Sequence, residues 1–319
     1  MILSVPTISE PMRFGILGGG FGLYGYLPAL LQEGHEVVLP ERYRAVLEGR
    51  ADLRELTPSV HFVIDEDQMF RSVEALVLAV RPEDQQAKLP LILESPRIRS
   101  ILLEKPLAPT PESSAQMLSL LEASGVNYRI GYTLLLTDWA EQLRRRGLPS
   151  APWRISWRFN AHHYVNGLDT WKRHAQAGGG ALRFYGIHLI ALLASFGYSE
   201  VREASIAGDG DDCPSFTARI GGPGVPDCDI EVDSKSEDAG LQIFHDDGGQ
   251  LNAIVELPEP FAAQARIAGT DIRVGLLMSL VRDVLDTRSN VPPWYPEVID
   301  LWAGIEAVAG TRPERRTPH

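Results

Sequence analysis

The first residues with readable chemistry are a glycine turn near the start of the chain, Gly18-Gly19-Gly20-Phe21-Gly22-Leu23-Tyr24-Gly25. It follows directly on an apolar run, Phe14 to Leu17, and leads into a helical pattern, Tyr24 to Gln32. Strand, glycine turn and helix in this order suit a dinucleotide. Glycine lets the backbone turn sharply and approach a pyrophosphate, whose charge is met by the amides and dipole at the helix start. Two frames fit. In one, Gly18 and Gly20 are the key glycines and Leu23 stands where a third would; in the other, the literal pattern runs through Gly20, Gly22 and Gly25. The first ties the turn to the strand end and is preferred.

About twenty residues further on, a second strand of such a fold ends in an acid that holds the adenosine ribose. Here Val37-Val38-Leu39-Pro40 is followed by Glu41 and Arg42. Glu41 favours NAD, whereas Arg42 and Arg44 are the residue type that meets the 2′-phosphate of NADP, so NAD is preferred only slightly. The third signal is Glu104-Lys105-Pro106, directly after a strand at Ser100 to Leu103. That places a lysine at the carboxyl edge of the sheet, where ligands of open α/β sheets bind.

The elements that must position these residues are legible from periodicity. Over the first 130 residues short apolar runs alternate with amphipathic stretches, the pattern of a parallel sheet flanked by helices. Strands are predicted at Phe14 to Leu17, Glu36 to Leu39, Val73 to Val80, Ser100 to Leu103 and Asn127 to Ile130, with helices at Tyr24 to Gln32, Arg42 to Gly49, Glu83 to Glu94 and Pro111 to Ser124. After Gly147 to Pro152 the texture changes: Ile155, Trp157 and Phe159 alternate along one side of a strand. A helix from Ala181 to Phe196 follows the triple glycine Gly178-Gly179-Gly180, several strands run from Val201 to Leu257, and helices close the chain at Ile272 to Asp286 and Pro296 to Ala309. The predicted fold is α/β: a Rossmann domain with a doubly wound parallel sheet over residues 1–130, then an α+β domain with an open, mostly antiparallel sheet over 131–319.

Composition narrows the partners. A chain of 319 residues exceeds what one core comfortably supports, which agrees with two domains. No apolar run approaching about 18 residues is evident, so no membrane span is predicted. Met1 to Pro11 lacks the cationic and apolar order of a secretory signal, and a cytoplasmic setting is expected. Cys213 and Cys228 are too few for a disulfide framework or a four-thiolate zinc site. His162, His163, Asp169 and His174 do not follow a recurrent ligand spacing, so no metal is expected. Net charge is −12, and residues 200–260 alone hold 15 acidic and 3 basic side chains. Such a stretch repels phosphate backbones and anionic lipid, which excludes nucleic acid and membrane surfaces as expected partners.

Taken in order across both domains, these motifs resemble the glucose-fructose oxidoreductase, inositol dehydrogenase and MocA family over nearly the whole chain. The landmarks are the glycine turn, Arg81-Pro82 after the strand predicted to end at Val80, Glu104-Lys105-Pro106-Leu107, Asp169-Thr170-Trp171-Lys172, the triple glycine, and Gly186-Ile187-His188. The resemblance implies hydride exchange between NAD or NADP and a sugar, polyol or related small carbonyl compound, in a homodimer or homotetramer, with the substrate between the two domains. It implies a cofactor held by Gly18, Gly20, Phe21, Gly22, Leu23, Glu41, Arg42, Val80, Arg81, Pro82, Glu104 and Lys105. It implies that Lys105 hydrogen-bonds the reacting oxygen, that His188 moves the proton, and that His163, Trp171, Lys172 and Tyr185 line the substrate side.

One departure matters. The family usually carries an aspartate four residues before the histidine, where this chain has Phe184, and Ala191 stands at another position commonly acidic. Phenylalanine cannot relay a proton, so His188 works with Lys105 alone, or Tyr185 supplies a hydroxyl, or the chemistry has changed. The alternative reading is therefore a nucleotide-binding regulator, or a member whose cofactor assists chemistry without net oxidation.

Overall fold

Short aliphatic runs build the first sheet: β1 (Arg13–Leu17), β2 (Glu36–Pro40), β3 (Val60–Val63), β4 (Ala75–Leu78), β5 (Ser100–Leu103) and β6 (Asn127–Ile130). In the computed structural model, which describes residues 11–148, 151–247, 250–264, 267–286 and 288–310, all six are parallel in the order β3-β2-β1-β4-β5-β6. The leader before Pro11, the tail beyond Gly310, and Gly248 and Gly249 lie outside the described residues. This is the doubly wound order, with its crevice at the carboxyl ends of β1 and β4, where the winding reverses. β4 and β5 are buried at every residue, as strands covered on both faces must be. β4 ends at Leu78 rather than Val80, because Ala79 and Val80 already turn towards the helix Pro82–Leu93.

The chain divides into two compact units. The first holds the chain up to Glu104, Leu120–Gly131 and a late segment ending at Val291; the second holds Lys105–Ser119, the stretch from Tyr132 to Gln264, and the chain from Pro292 on. The late segment includes the helix Val274–Leu285, which lies beyond the expected boundary at residue 130 yet groups with the parallel sheet. Arg129 of β6, 1% exposed, draws it there: its guanidinium donates to the Asp283 carboxylate at 2.5 Å and to the Ser289 hydroxyl at 2.9 Å. Asn127 donates to the Val284 carbonyl at 2.5 Å.

The second unit is built on β7 (Trp153–Asn160), β8 (Glu200–Asp209), β9 (Asp212–Gly222), β10 (Val225–Asp233), β11 (Lys235–Asp247) and β12 (Gln250–Leu257). Their order is β12-β11-β7-β10-β9-β8, antiparallel except where β7 pairs with β10. The acidic stretch seen in the sequence lies on these strands, and arginines answer it across the ladder: Arg158 reaches Glu231 at 2.7 Å and Arg219 reaches Asp229 at 2.9 Å. One helical run in this unit, Ala175–Ser195, is long and apolar enough to cross a membrane by composition, contrary to the sequence expectation, but 78% of its most apolar window is buried within the protein. It is a core helix: Ile187, Leu189, Ile190, Leu192 and Leu193 are at most 1% exposed.

Candidate active site

β1 ends at Leu17, and the next residue decides the shape of the turn. Gly18 adopts φ +131°, and a Cβ placed on it would stand 2.1 Å from the Ala79 carbonyl oxygen, so only glycine fits. Gly18 is the position from which the first frame of the motif starts. Gly19 and Gly20 are exposed, and a Cβ on Gly20 would meet nothing within 4 Å. Phe21 opens the helix, whose first turns, Gly22–Tyr26, are of the wide π type before Leu27–Gln32 continues as α-helix. Leu23, in the place of a third glycine, is fully buried, and Gly22 packs beside Ile16. Two exposed glycines, open space above Gly20 and a helix start just beyond form a cradle that fits a pyrophosphate.

The rim of this cradle comes from neighbouring strand ends. Tyr43, which the sequence reading passed over, lies against Gly19 and accepts the Gly18 N–H on its hydroxyl at 2.9 Å. Glu41 follows β2 and pairs with Arg44 at 2.5 Å; that bond holds its carboxyl below the usual range. Arg42 donates to Glu66 at 2.5 Å, and Lys88 reaches the same carboxylate at 2.7 Å. Val80 lies in the turn after β4, Arg81 caps the next helix and Pro82 is its first residue. Gln85, one turn into that helix and fully buried, grips both main-chain groups of Glu104, donating to its carbonyl at 2.8 Å and accepting its N–H at 3.1 Å. Tyr26 donates to the Glu104 carboxylate at 2.8 Å. The peptide that leads into Lys105 is thereby fixed.

In the second unit, Lys105 begins a segment whose Lys105-Pro106 bond is cis. Its ammonium donates to the Phe184 carbonyl at 2.6 Å and lies 3.8 Å from the centroid of the Phe184 ring. Phe184 and Tyr185 sit in a π-helical turn, Ala181–Gly186, that leads into Ile187–Ser195. The triple glycine makes room for its approach. A Cβ on Gly179 would stand 2.2 Å from the Trp171 carbonyl oxygen, and Gly180 N–H donates to the Lys172 carbonyl at 2.8 Å. Trp171 therefore meets the Phe184 ring edge-on at 5.3 Å, and the Lys172 ammonium lies 5.2 Å from the same ring. Arg183, which no sequence signal marked, anchors this turn through paired bonds to Glu306 and through the Pro109 and Ala175 carbonyls.

Aromatic rings complete the surroundings. Tyr185 packs edge-on against Phe184 and Phe159, each at 4.7 Å, and against Trp157 at 5.9 Å; burial pushes its hydroxyl well above an ordinary phenol, so it keeps its proton at neutral pH. His163 is 4% exposed beside Tyr164 and Tyr185, and burial, with Lys172 and Arg173 nearby, pushes its imidazole down and keeps it neutral. His188, one helical turn beyond Phe184, is 6% exposed and meets the Tyr132 ring edge-on at 6.4 Å. His174 bonds Asp169 at 2.5 Å and faces Asp211 at 3.4 Å, and among the described residues no group of three His, Cys, Asp or Glu side chains is placed to hold a metal ion.

No protein-family model matches the chain, and no curated protein matches it in sequence. Its fold is found in solved structures. GenD2 from gentamicin A biosynthesis, in complex with NAD, is 18% identical with a TM-score of 0.74, covering 98% of this chain and 97% of that one. The WlbA dehydrogenase from Bordetella pertussis, in complex with NADH and UDP-GlcNAcA, is 15% identical with a TM-score of 0.73, covering 95% and 96%. The super-repressor mutant of Gal80p from Saccharomyces cerevisiae is 12% identical with a TM-score of 0.72, covering 94% and 96%. The chain shares the whole two-domain fold of these proteins, an N-terminal Rossmann sheet and a mostly antiparallel second sheet.

Proposed function

We propose that this protein is a nicotinamide-dependent oxidoreductase that exchanges hydride with a hydroxyl or carbonyl carbon of a sugar, polyol or related small compound. The observation that carries the reading is the exposed glycine turn, locked at Gly18 by the close approach of Ala79, at the end of β1 in a 3-2-1-4-5-6 sheet. Two neighbours of the same fold, GenD2 and WlbA, were solved with NAD and NADH, which supports a dinucleotide as the cofactor. When bound, the dinucleotide supplies a two-electron hydride donor or acceptor.

The protein's own residues supply the rest. Amides at Gly20 and Phe21 and the helix start bind the pyrophosphate. Glu41, ionised at the end of β2, takes the ribose hydroxyls, and both nearby arginines are already held by carboxylates, Arg42 by Glu66 and Arg44 by Glu41. A 2′-phosphate would have to displace one of these pairs and meet Glu41, so NAD is the preferred cofactor. Lys105 donates a hydrogen bond to the reacting oxygen, and its positive charge stabilises the alkoxide that develops there. His188 accepts or returns the hydroxyl proton, a role suited to an imidazole, which has one nitrogen to take a proton and another to give one. Trp171, Lys172, Tyr185 and His163 surround the substrate. Cys213 and Cys228 are unpaired thiols, which suits the cytoplasm; a homodimer or homotetramer is the proposed assembly.

The test mixes the protein with NADH deuterated at C4 and a panel of carbonyl sugars. Stereospecific transfer of deuterium to carbon is expected with at least one of them; bound nucleotide without transfer to any plausible carbonyl would sink the redox reading. That second outcome is what a nucleotide-binding regulator would give. The regulator reading is favoured by Phe184, which cannot relay a proton, and by the Gal80p super-repressor mutant having the same fold.

A further inference from the structure

We infer that Phe184 is a positioning residue for the Lys105 ammonium, holding it by both its main chain and its ring; this rests on the reading of Lys105 as the group that meets the reacting oxygen. A lysine head group is a point charge on a flexible four-carbon stem, so a catalytic lysine must be held from more than one direction. Phe184 supplies two. Its carbonyl accepts one of the three N–H donors at 2.6 Å. Its ring centroid lies 3.8 Å from Nζ, well inside the range of about 6 Å over which a ring face attracts a cation.

The ring is itself immobilised. Trp171 meets it at 86° and Tyr185 at 82°, so edge-on neighbours fix its plane. The carbonyl is fixed by the π-turn, in which the Ile187 N–H donates five residues back to Leu182. Wide turns of this kind are frequent at functional sites.

On this account Phe184 keeps the lysine oriented, while proton movement falls to His188.

Two variants separate ring from main chain. Phe184→Leu keeps the carbonyl and removes the ring; Phe184→Tyr keeps both. With NADH bound, each protein is treated with limiting acetic anhydride, and modification at each lysine is read by mass spectrometry, with Lys88 in the first unit as internal control. Acetylation of Lys105 should rise about fivefold or more in Phe184→Leu, as expected for loss of a cation–π hold, and stay at the wild-type rate in Phe184→Tyr. With the sugar that accepts deuterium, kcat should fall about tenfold in Phe184→Leu, with KM for NADH unchanged, and recover in Phe184→Tyr. The inference is overturned by wild-type labelling of Lys105 in Phe184→Leu, by equal damage in both variants, or by faster labelling with wild-type kcat. Lys105→Met tests the underlying reading separately: full hydride transfer in that variant would refute the role of Lys105 whatever the labelling shows.

Discussion

The Tyr43 hydroxyl accepts the Gly18 N–H at 2.9 Å across 25 residues of sequence, joining the turn after β1 to the segment after β2. The bond is buried, and Tyr43 also lies against Gly19, so one side chain sets the backbone of the whole glycine turn. Tyr43→Phe leaves a buried N–H without its acceptor, which costs about 1–3 kcal/mol. Stability measured by urea unfolding should fall by that order. Calorimetric NADH affinity should fall with it, by about tenfold for each 1.4 kcal/mol of lost preorganisation.

Gly18 and Gly20 should respond differently to alanine. At Gly18 the new methyl would meet the Ala79 carbonyl at 2.1 Å in a backbone conformation of φ +131°. Gly18→Ala is therefore expected to cost about 3 kcal/mol or more and to lower Tm visibly. At Gly20 nothing stands within 4 Å, so Gly20→Ala should keep the wild-type Tm while weakening NADH binding, because the methyl takes space reserved for the pyrophosphate. Equal loss of Tm in both variants would contradict this division of roles.

The helix Val274–Leu285 buries an apolar face, Val274, Leu277, Val281 and Val284, and is tied to β6 by Arg129. Asp283→Ala leaves the guanidinium, 1% exposed, without its carboxylate but still bonded to Asn127, the Tyr128 carbonyl and Ser289. Losing one partner of a buried pair costs about 3–5 kcal/mol. With Asp283 itself 42% exposed and the other bonds kept, about 2 kcal/mol is expected here. Urea unfolding would show it as a lower midpoint, and hydrogen exchange as faster opening of residues 274–285; unchanged exchange there would deny Arg129 its anchoring role.

How far such features were legible depended on whether their cause is local. β5 and β6 fall where periodicity put them, as does the amphipathic helix Pro111–Ser124, since each is a local pattern closed by a turn or a cap. β3 escaped notice although Val60, Phe62 and Val63 are apolar, because the run is only four residues long and lies on the sheet edge with His61 exposed. The affiliation of residues 274–285 was invisible for another reason: its apolar packing and the bond from Arg129 to Asp283 join parts of the chain that are some 154 residues apart. The same holds at the candidate site. The glycine turn, Lys105 and His188 stood out by type and order, while Tyr43, Gln85 and Arg183 act through bonds to distant backbone atoms that leave no mark on spacing.

The buried His163 predicts a pH dependence in the second unit. Burial, aided by Lys172 and Arg173, lowers its folded pKa beneath the unfolded value of about 6.5. Between those two values only the unfolded chain takes up the proton, so His163 contributes its full stability above pH 6.5 or so and loses it as pH falls towards the folded pKa. The slope is at most about 1.4 kcal/mol per pH unit. His163→Phe, which keeps a ring beside Tyr164 and Tyr185, should flatten the stability profile below about pH 6.5. A slope identical to wild type would show that His163 is not the group responsible.

Cofactor choice gives the sharpest test of the nucleotide site, because Glu41 has two jobs at once. It stands at the end of β2, where a ribose would lie, and its carboxylate holds Arg44, whose guanidinium is 3.9 Å from the centroid of the Phe62 ring. Glu41→Ser removes the carboxylate and releases Arg44 without displacing it from that ring, while Arg42 stays bound to Glu66 at 2.5 Å. An acid that repels a 2′-phosphate is thus exchanged for an arginine that can pair with it. The ratio of NADPH to NADH affinity should rise by about a hundredfold, about tenfold from each change, each worth about 1.4 kcal/mol. Fluorescence titration of both cofactors measures it directly. A ratio that does not move would mean that Glu41 does not face the ribose and that the nucleotide lies elsewhere on the sheet.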